Sequence, residues 1–216
     1  KIDDIEILTD QSWLCSDKVP QQMIADRWTW SCIMDAVNAK LKDFGWEDAD
    51  FDDRSWSKAV KIDGSMWGPL KPRAIPLLEE TDMGSGTILQ ITHDAKVDKT
   101  PKHLPASLPM RLKSGSEVVI DVGKLSLTYW DMEFDADEDA KLIFTPCQDF
   151  VDGKTIISYN CENIYEARQG PQSYISTDTF GFRYLNMKVQ NADIVLNSIK
   201  FVSRLYPNIP VAHFEC

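Results

Sequence analysis

Thirty-four acidic residues, three histidines, five cysteines and seven tryptophans are the side chains with which this 216-residue sequence could do chemistry. Hydrolysis of a glycosidic bond needs two carboxyl groups about 5 to 10 Å apart, one of them holding its proton at neutral pH. With 34 acids, most of them in turn-like stretches, spacing selects no pair, and solvation is their ordinary role. His93, His103 and His213 lie in unrelated segments without metal-ligand spacing. A Ser–His–Asp nucleophile is not excluded by counting, but there is no Gly-x-Ser-x-Gly elbow, and no glycine-rich phosphate loop. Asp135-Ala-Asp-Glu-Asp139 opens like a calcium loop, yet Ala140 stands where the turn glycine belongs and Pro146 where the bidentate glutamate belongs. It reads as a hairpin tip. No metal and no cofactor are expected.

The cysteines are Cys15, Cys32, Cys147, Cys161 and Cys216, an odd number without a Cys-x-x-Cys pair. Cys15–Cys32 and Cys147–Cys161 bridges stay open beside buried free thiols. A formal charge of −11 leaves no basic stripe to neutralise phosphates and disfavours anionic membranes. No apolar run approaches the roughly 20 residues of a membrane span. Neutral sugars are compatible with the charge, which selects nothing by itself. Lys1-Ile-Asp-Asp-Ile-Glu6 lacks the apolar core of a signal peptide, as either a mature form or an excised fragment would.

Six of the seven tryptophans precede residue 68. Indole faces stack on the C–H faces of sugars, so such clustering can mark a carbohydrate platform, or simply core. Trp13, Trp46 and Trp56 are expected in the core. Trp28, Trp30 and Trp67, flanked by Arg27, Thr29, Gly68 and Pro69, are the sugar-contact candidates, with core or interface packing an equal alternative.

Strands must position all of this. From Phe180 to Val189 the chain alternates, with Phe180, Phe182 and Tyr184 expected on one face and Arg183, Leu185, Met187 and Val189 on the other. Both faces are bulky, as in the middle of a sandwich. Gly181 signals a bulge or a close backbone approach. Arg183 needs an ionic partner, and Asp178 could supply it, a structural role for both. Further strands are expected at 57–62, 87–92, 117–122 (ending at Gly123), 125–134, 140–145, 156–159, 164–167 and 193–202, with 172–176 leading into the strand at 180–189. Residues 33–41 read as a short helix. Asp52, Asp53 and Ser55 suit capped turns beside the Trp56 anchor. Asp152-Gly153 is a hairpin turn signal. The proline-rich stretch 100–109 reads as a linker. The expectation is all-β: a jelly-roll or β-sandwich of galactose-binding-like or concanavalin-like type, in two sandwich units with few short helices. The domains would be 1–105, 106–207 and a short terminal piece, 208–216.

Several stretches, in order, resemble one family. Thr9-Asp-Gln-Ser-Trp13, Met34-Asp-Ala36, Gly45-Trp46, Phe51-Asp-Asp-Arg-Ser-Trp56 with Ala59, and Pro72-Arg-Ala-Ile-Pro76 resemble the N-terminal β-domain of bacterial α-L-rhamnosidases. Val119-Ile-Asp-Val-Gly-Lys124 resembles the strand opening their next β-sandwich, and Asp178-Thr-Phe-Gly-Phe-Arg-Tyr184 its late strand. His213-Phe-Glu-Cys216 resembles the segment where their (α/α)6 catalytic barrel begins. The resemblance implies an accessory, non-catalytic β-sandwich portion of a rhamnosidase-like glycoside hydrolase, with an incomplete N-terminal domain. Its partners would be the barrel of the same parent chain and rhamnose-containing glycans, with no nucleic acid and no membrane. Family catalysis uses carboxylates on the barrel, and no position here matches one, so no catalytic residue is carried over. A periplasmic or secreted location is implied, with the cytoplasm left open. The alternatives are an autonomous carbohydrate-binding module and a small stand-alone glycosidase.

Overall fold

The computed structural model describes residues 10–23, 35–41, 45–62, 71–156 and 162–207. Their strands are β1 (Leu14–Cys15), β2 (Gln21–Met23), β3 (Asp35–Asn38), β4 (Ser57–Lys58), β5 (Glu79–Asp82), β6 (Thr87–His93), β7 (Lys96–Asp98), β8 (Lys102–His103) and β9 (Met110–Leu112). They continue with β10 (Glu117–Ala136), β11 (Lys141–Cys147), β12 (Asp149–Val151), β13 (Lys154–Ile156), β14 (Asn163–Glu166), β15 (Gly170–Ile175), β16 (Phe180–Gln190) and β17 (Ile194–Leu205). One 3-10 turn, Ala39–Leu41, is the only helical element among the described residues. The chain is all-β.

Two compact units divide it: 1–20 with 41–75, and 21–40 with 76–216. The boundary expected at 105/106 falls inside the second unit, because β6 pairs with β10 across it. The first unit contains the short β1–β4 ladder, extended by Ala59 N–H donating to the Trp13 carbonyl at 2.8 Å. The strand expected over 57–62 stops at Lys58.

The second unit is built on β10. Its N-terminal half pairs with β16 and β6, its C-terminal half with β17 and β15. β16 continues through β11 to β14, and β14 pairs in parallel with β3. β17 carries β9 and β5. One strand therefore connects the two layers of a single 13-stranded sheet. Along β10, Val118, Ile120, Thr128, Trp130, Met132, Phe134 and Ala136 are buried on a period of two, as a half-covered strand requires.

The facing layers meet through aromatic rings. Trp130 lies 5.4 Å from Phe144 of β11 and stacks on Phe180 at 5.6 Å. Phe134 meets Tyr165 of β14 edge-on at 5.5 Å, and Tyr174 of β15 lies 4.9 Å from Tyr165. Offset and edge contacts of this kind add to the burial of the rings themselves.

Two expectations change at the middle of β10. The strand does not end at Gly123; it continues through a bulge in which residues 122–125 face only Arg183 between the pairs Asp121–Tyr184 and Ser126–Phe182. Gly123 takes φ 100° there, a conformation that costs a side chain. The bulge also shifts the parity of β16. Phe180 and Phe182 were expected opposite Leu185, Met187 and Val189, yet all five are buried in the same core.

Residues 33–41 do not form the expected helix: Asp35–Asn38 is strand, followed by the 3-10 turn. The β12–β13 hairpin turns at Asp152-Gly153, φ 53° and 78°, as its sequence signal requires.

Candidate functional site

The sugar-contact candidates Trp28, Trp30 and Trp67 lie outside the described residues. Two tryptophans expected in the core are instead half-exposed, Trp13 at 46 % and Trp46 at 52 %. Trp46 sits in a turn closed by Asp48 N–H donating to the Gly45 carbonyl at 2.9 Å. Trp56 packs on Phe51 at 5.7 Å and is partly buried. Asp52 accepts from the Arg54 backbone N–H at 3.2 Å and from its guanidinium at 2.7 and 2.6 Å, while the Asp53 carbonyl accepts from Trp56 N–H. The guanidinium and backbone bonds from Arg54 hold the Asp52 carboxyl below the usual range.

Arg183 does find a carboxylate, but it is Asp121 of β10 and not Asp178. Arg183 Nε and Nη2 donate to the two Asp121 oxygens at 2.9 and 3.0 Å, a bidentate pair. Asp121 also accepts from Gly123 N–H at 2.8 Å. Burial works to raise the Asp121 pKa; the bonds from Arg183 and Gly123 outweigh it and bring it below the usual value. Asp178 is used locally, accepting from Thr179 N–H at 2.8 Å.

The histidines are engaged singly. His93 Nδ1 lies 3.3 Å from Asp94, and His103 Nδ1 lies 3.2 Å from Thr87 Oγ1; His213 is outside the described residues. Cys15 is an exposed free thiol and Cys147 a buried one, whose pKa burial pushes up to about 11. The other three cysteines are outside the described residues. The acids of 135–139 diverge: Asp135 accepts from Asn197, Asp137 from Arg111, and Asp139 from Lys40. Among the described residues, no group of three or more His, Cys, Asp or Glu side chains could hold a metal ion.

One polar cleft of the second unit, about 590 Å³, is lined by Asn38, Lys40, Glu138, Asp139, Lys141 and Glu166, with Asn191 at its rim. That volume is in the range of small-ligand sites. Lys40 bonds to Asp139, and Lys141 lies 3.6 Å from Glu166. The Asp139 bond raises the Lys40 pKa, so the ammonium stays charged. Alternating amides, ammonium groups and carboxylates can exchange hydrogen bonds with the hydroxyls of a neutral polyol. Nothing in local sequence spacing marks this cleft, because its residues come from the ends of β3, β11 and β14 and from turns far apart in the sequence. Among the described carboxyl groups, each whose pKa departs from the ordinary range lies below it: Asp10, Asp52, Asp82, Asp98, Asp121 and Asp193. A general acid for glycoside hydrolysis requires the opposite shift.

No protein-family model matches the chain, and no curated protein matches it. Solved structures similar to parts of it include rhamnosidases and a xylan-binding module of family CBM15. A GH78-family rhamnosidase of Bacillus sp. GL1 is 29 % identical over 50 % of this chain and 12 % of its own, with a TM-score of 0.41. The α-L-rhamnosidase of Dictyoglumus thermophilum is 12 % identical over 79 % of this chain and 18 % of its own, TM-score 0.49. That of Aspergillus terreus is 13 % identical over 88 % of this chain and 20 % of its own, TM-score 0.46. The chain thus spans no more than a fifth of the length of any of these three.

Proposed function

We propose that this chain is a non-catalytic β-sandwich portion of an α-L-rhamnosidase-like glycoside hydrolase, where it packs on the catalytic barrel, helps to shape the substrate cleft and contributes contacts to glycan. The observation that carries the reading is the Asp121–Arg183 pair. Val119–Lys124 and Asp178–Tyr184 each resemble a rhamnosidase sandwich strand, and they are read from separate parts of the sequence. In the fold they are hydrogen-bonded neighbours, and Asp121 of one motif is the bidentate partner of Arg183 of the other. That placement supports the reading, because the two stretches would be neighbouring strands in such a sandwich.

Two assays test the two halves of the reading. Incubated with an aryl α-L-rhamnoside, the isolated chain is expected to give no turnover; hydrolysis that co-purifies with the chain would sink the non-catalytic role. Tryptophan fluorescence is then titrated with L-rhamnose and rhamnose-containing oligosaccharides. Saturable quenching that disappears on changing Trp28, Trp30 or Trp67 to Ala would make those indoles the platform. Quenching that survives there but disappears in Asn38→Ala or Asn191→Ala would put the sugar in the polar cleft. A flat titration would leave the scaffolding role and remove the glycan contact.

A further inference from the structure

The interior of the sandwich contains a polar site that the scaffolding role does not use. Asp35 is 8 % exposed, Asn163 1 % and Tyr174 4 %. Asp35 Oδ2, Asn163 Nδ2 and Tyr174 Oη are each buried without a hydrogen-bond partner among the described residues. Buried polar groups are almost always paired, with protein or with ordered water, so three orphans demand an account.

They belong to one place. Asp35 N–H donates to Asn163 Oδ1 at 3.0 Å, which fixes the amide against β3 and leaves its NH₂ free. Asn163 stands across from Phe144 in the β14–β11 ladder, and two residues from Tyr165 on the same inward face. Tyr174 comes from β15, which pairs with the C-terminal half of β10. Its ring lies 5.4 Å from Phe144 and 4.9 Å from Tyr165, over the same corner of the core. Burial and then the charge of Asp35 push the Tyr174 pKa up, so the phenol keeps its proton and remains a donor.

The three atoms make a complementary set: two donors, Asn163 N–H and Tyr174 O–H, and one carboxylate acceptor. One water can accept two hydrogen bonds and donate one to a carboxylate, and about three partners are typical of a buried water. We propose that Asp35, Asn163 and Tyr174 enclose an internal water that accepts from Asn163 and Tyr174 and donates to Asp35, tying β3 to β15. This gives the short β3 a second anchor. Its four residues otherwise depend on a parallel ladder to β14 and an antiparallel one to β2. A hydroxyl of a bound polyol has the same donor and acceptor pattern, so the test separates the two sources.

Crystals of the whole chain, grown with no polyol present and diffracting well enough to show ordered solvent, provide the first readout. Density for a water within about 2.7 to 3.2 Å of all three atoms is expected. An empty site, or Tyr174 Oη bonded directly to Asp35, would overturn the proposal. Density that occurs only after soaking with L-rhamnose would assign the site to a sugar hydroxyl and equally overturn the water. The second readout is amide hydrogen exchange of Tyr174→Phe, which removes one partner of the water. The β3 amides should exchange up to about tenfold faster while those of β16 stay unchanged. Unaltered exchange in β3 would show that no tie exists.

Discussion

Asp121 and Arg183 connect β10 to β16 at the bulge. Arg183 is partly exposed, with a side-chain accessibility of 41 % against 16 % for Asp121, so solvent screening limits the pair to about 1 kcal/mol. The folded pKa of Asp121 lies below the ordinary 3.8. Its contribution is therefore fully present above that value and is lost as the pH falls through the lower folded one. Asp121→Ala is expected to lose about 1 kcal/mol of stability near neutral pH by urea denaturation. The difference from the parent protein should shrink as the pH falls below 3.8; a difference that stays constant into acid would refute the ion pair. Sequence alone showed that Arg183 among apolar neighbours needs a carboxylate. It could not choose Asp121, which is 62 residues away, over the nearby Asp178. Nor could it show that Trp13 and Trp46 are exposed, since an indole in a turn packs or protrudes according to what the rest of the chain places beside it.

Elements were legible where their signal is local. The strand over 180–189, the Asp152-Gly153 turn and the strands at 87–92, 140–145 and 164–167 all depend on near neighbours. The bulge was not legible, because it exists only in the register between β10 and β16. Residues 35–38 became strand because β2 and β14 offer ladders to both sides of β3, which outweighs a weak helical pattern. Two glycines separate close approach from mere tolerance. A Cβ on Gly86, at φ +75°, would come within 2.6 Å of the Asp121 carbonyl oxygen, where β6 meets β10. A Cβ on Gly181 would meet only Leu127 Cδ2, at 3.9 Å, an ordinary contact. The close approach that Gly181 signalled in the sequence is therefore absent among the described residues, and the bulge lies on the partner strand β10, opposite Arg183. Gly86→Ala should lose about 2 kcal/mol or more through strain and displacement of β6. Gly181→Ala should gain about 0.5 kcal/mol by restricting the unfolded chain. Thermal unfolding of both variants measures the contrast, and equal midpoints would contradict it.

At the scale of the whole molecule, composition excluded more than it selected. It argued against nucleic-acid and anionic-membrane partners and left sugars open, while the all-β architecture followed from many short alternating runs. The division into units was not readable, because 21–40 leaves its sequence neighbours to join β14, and no linker composition announces that. What remains to be explained is the outer surface of β10. Leu127 projects half-exposed opposite Gly181, which adds no side chain of its own, and Leu125 is exposed in the bulge. Leu127 makes little of its own fold's core, so its apolar surface is available to a partner. If the chain packs on a catalytic barrel, this is a surface suited to that contact. Leu127→Asp should then change the stability of the isolated chain by no more than about 0.5 kcal/mol, because the side chain already meets water. The same substitution should weaken association with a separately produced rhamnosidase barrel, by placing a desolvated charge in an apolar contact. Calorimetric titration of the barrel with parent and variant chains separates the outcomes. Equal affinities would move the docking surface elsewhere. Loss of affinity without loss of stability would identify this part of β10 as the face that the barrel covers.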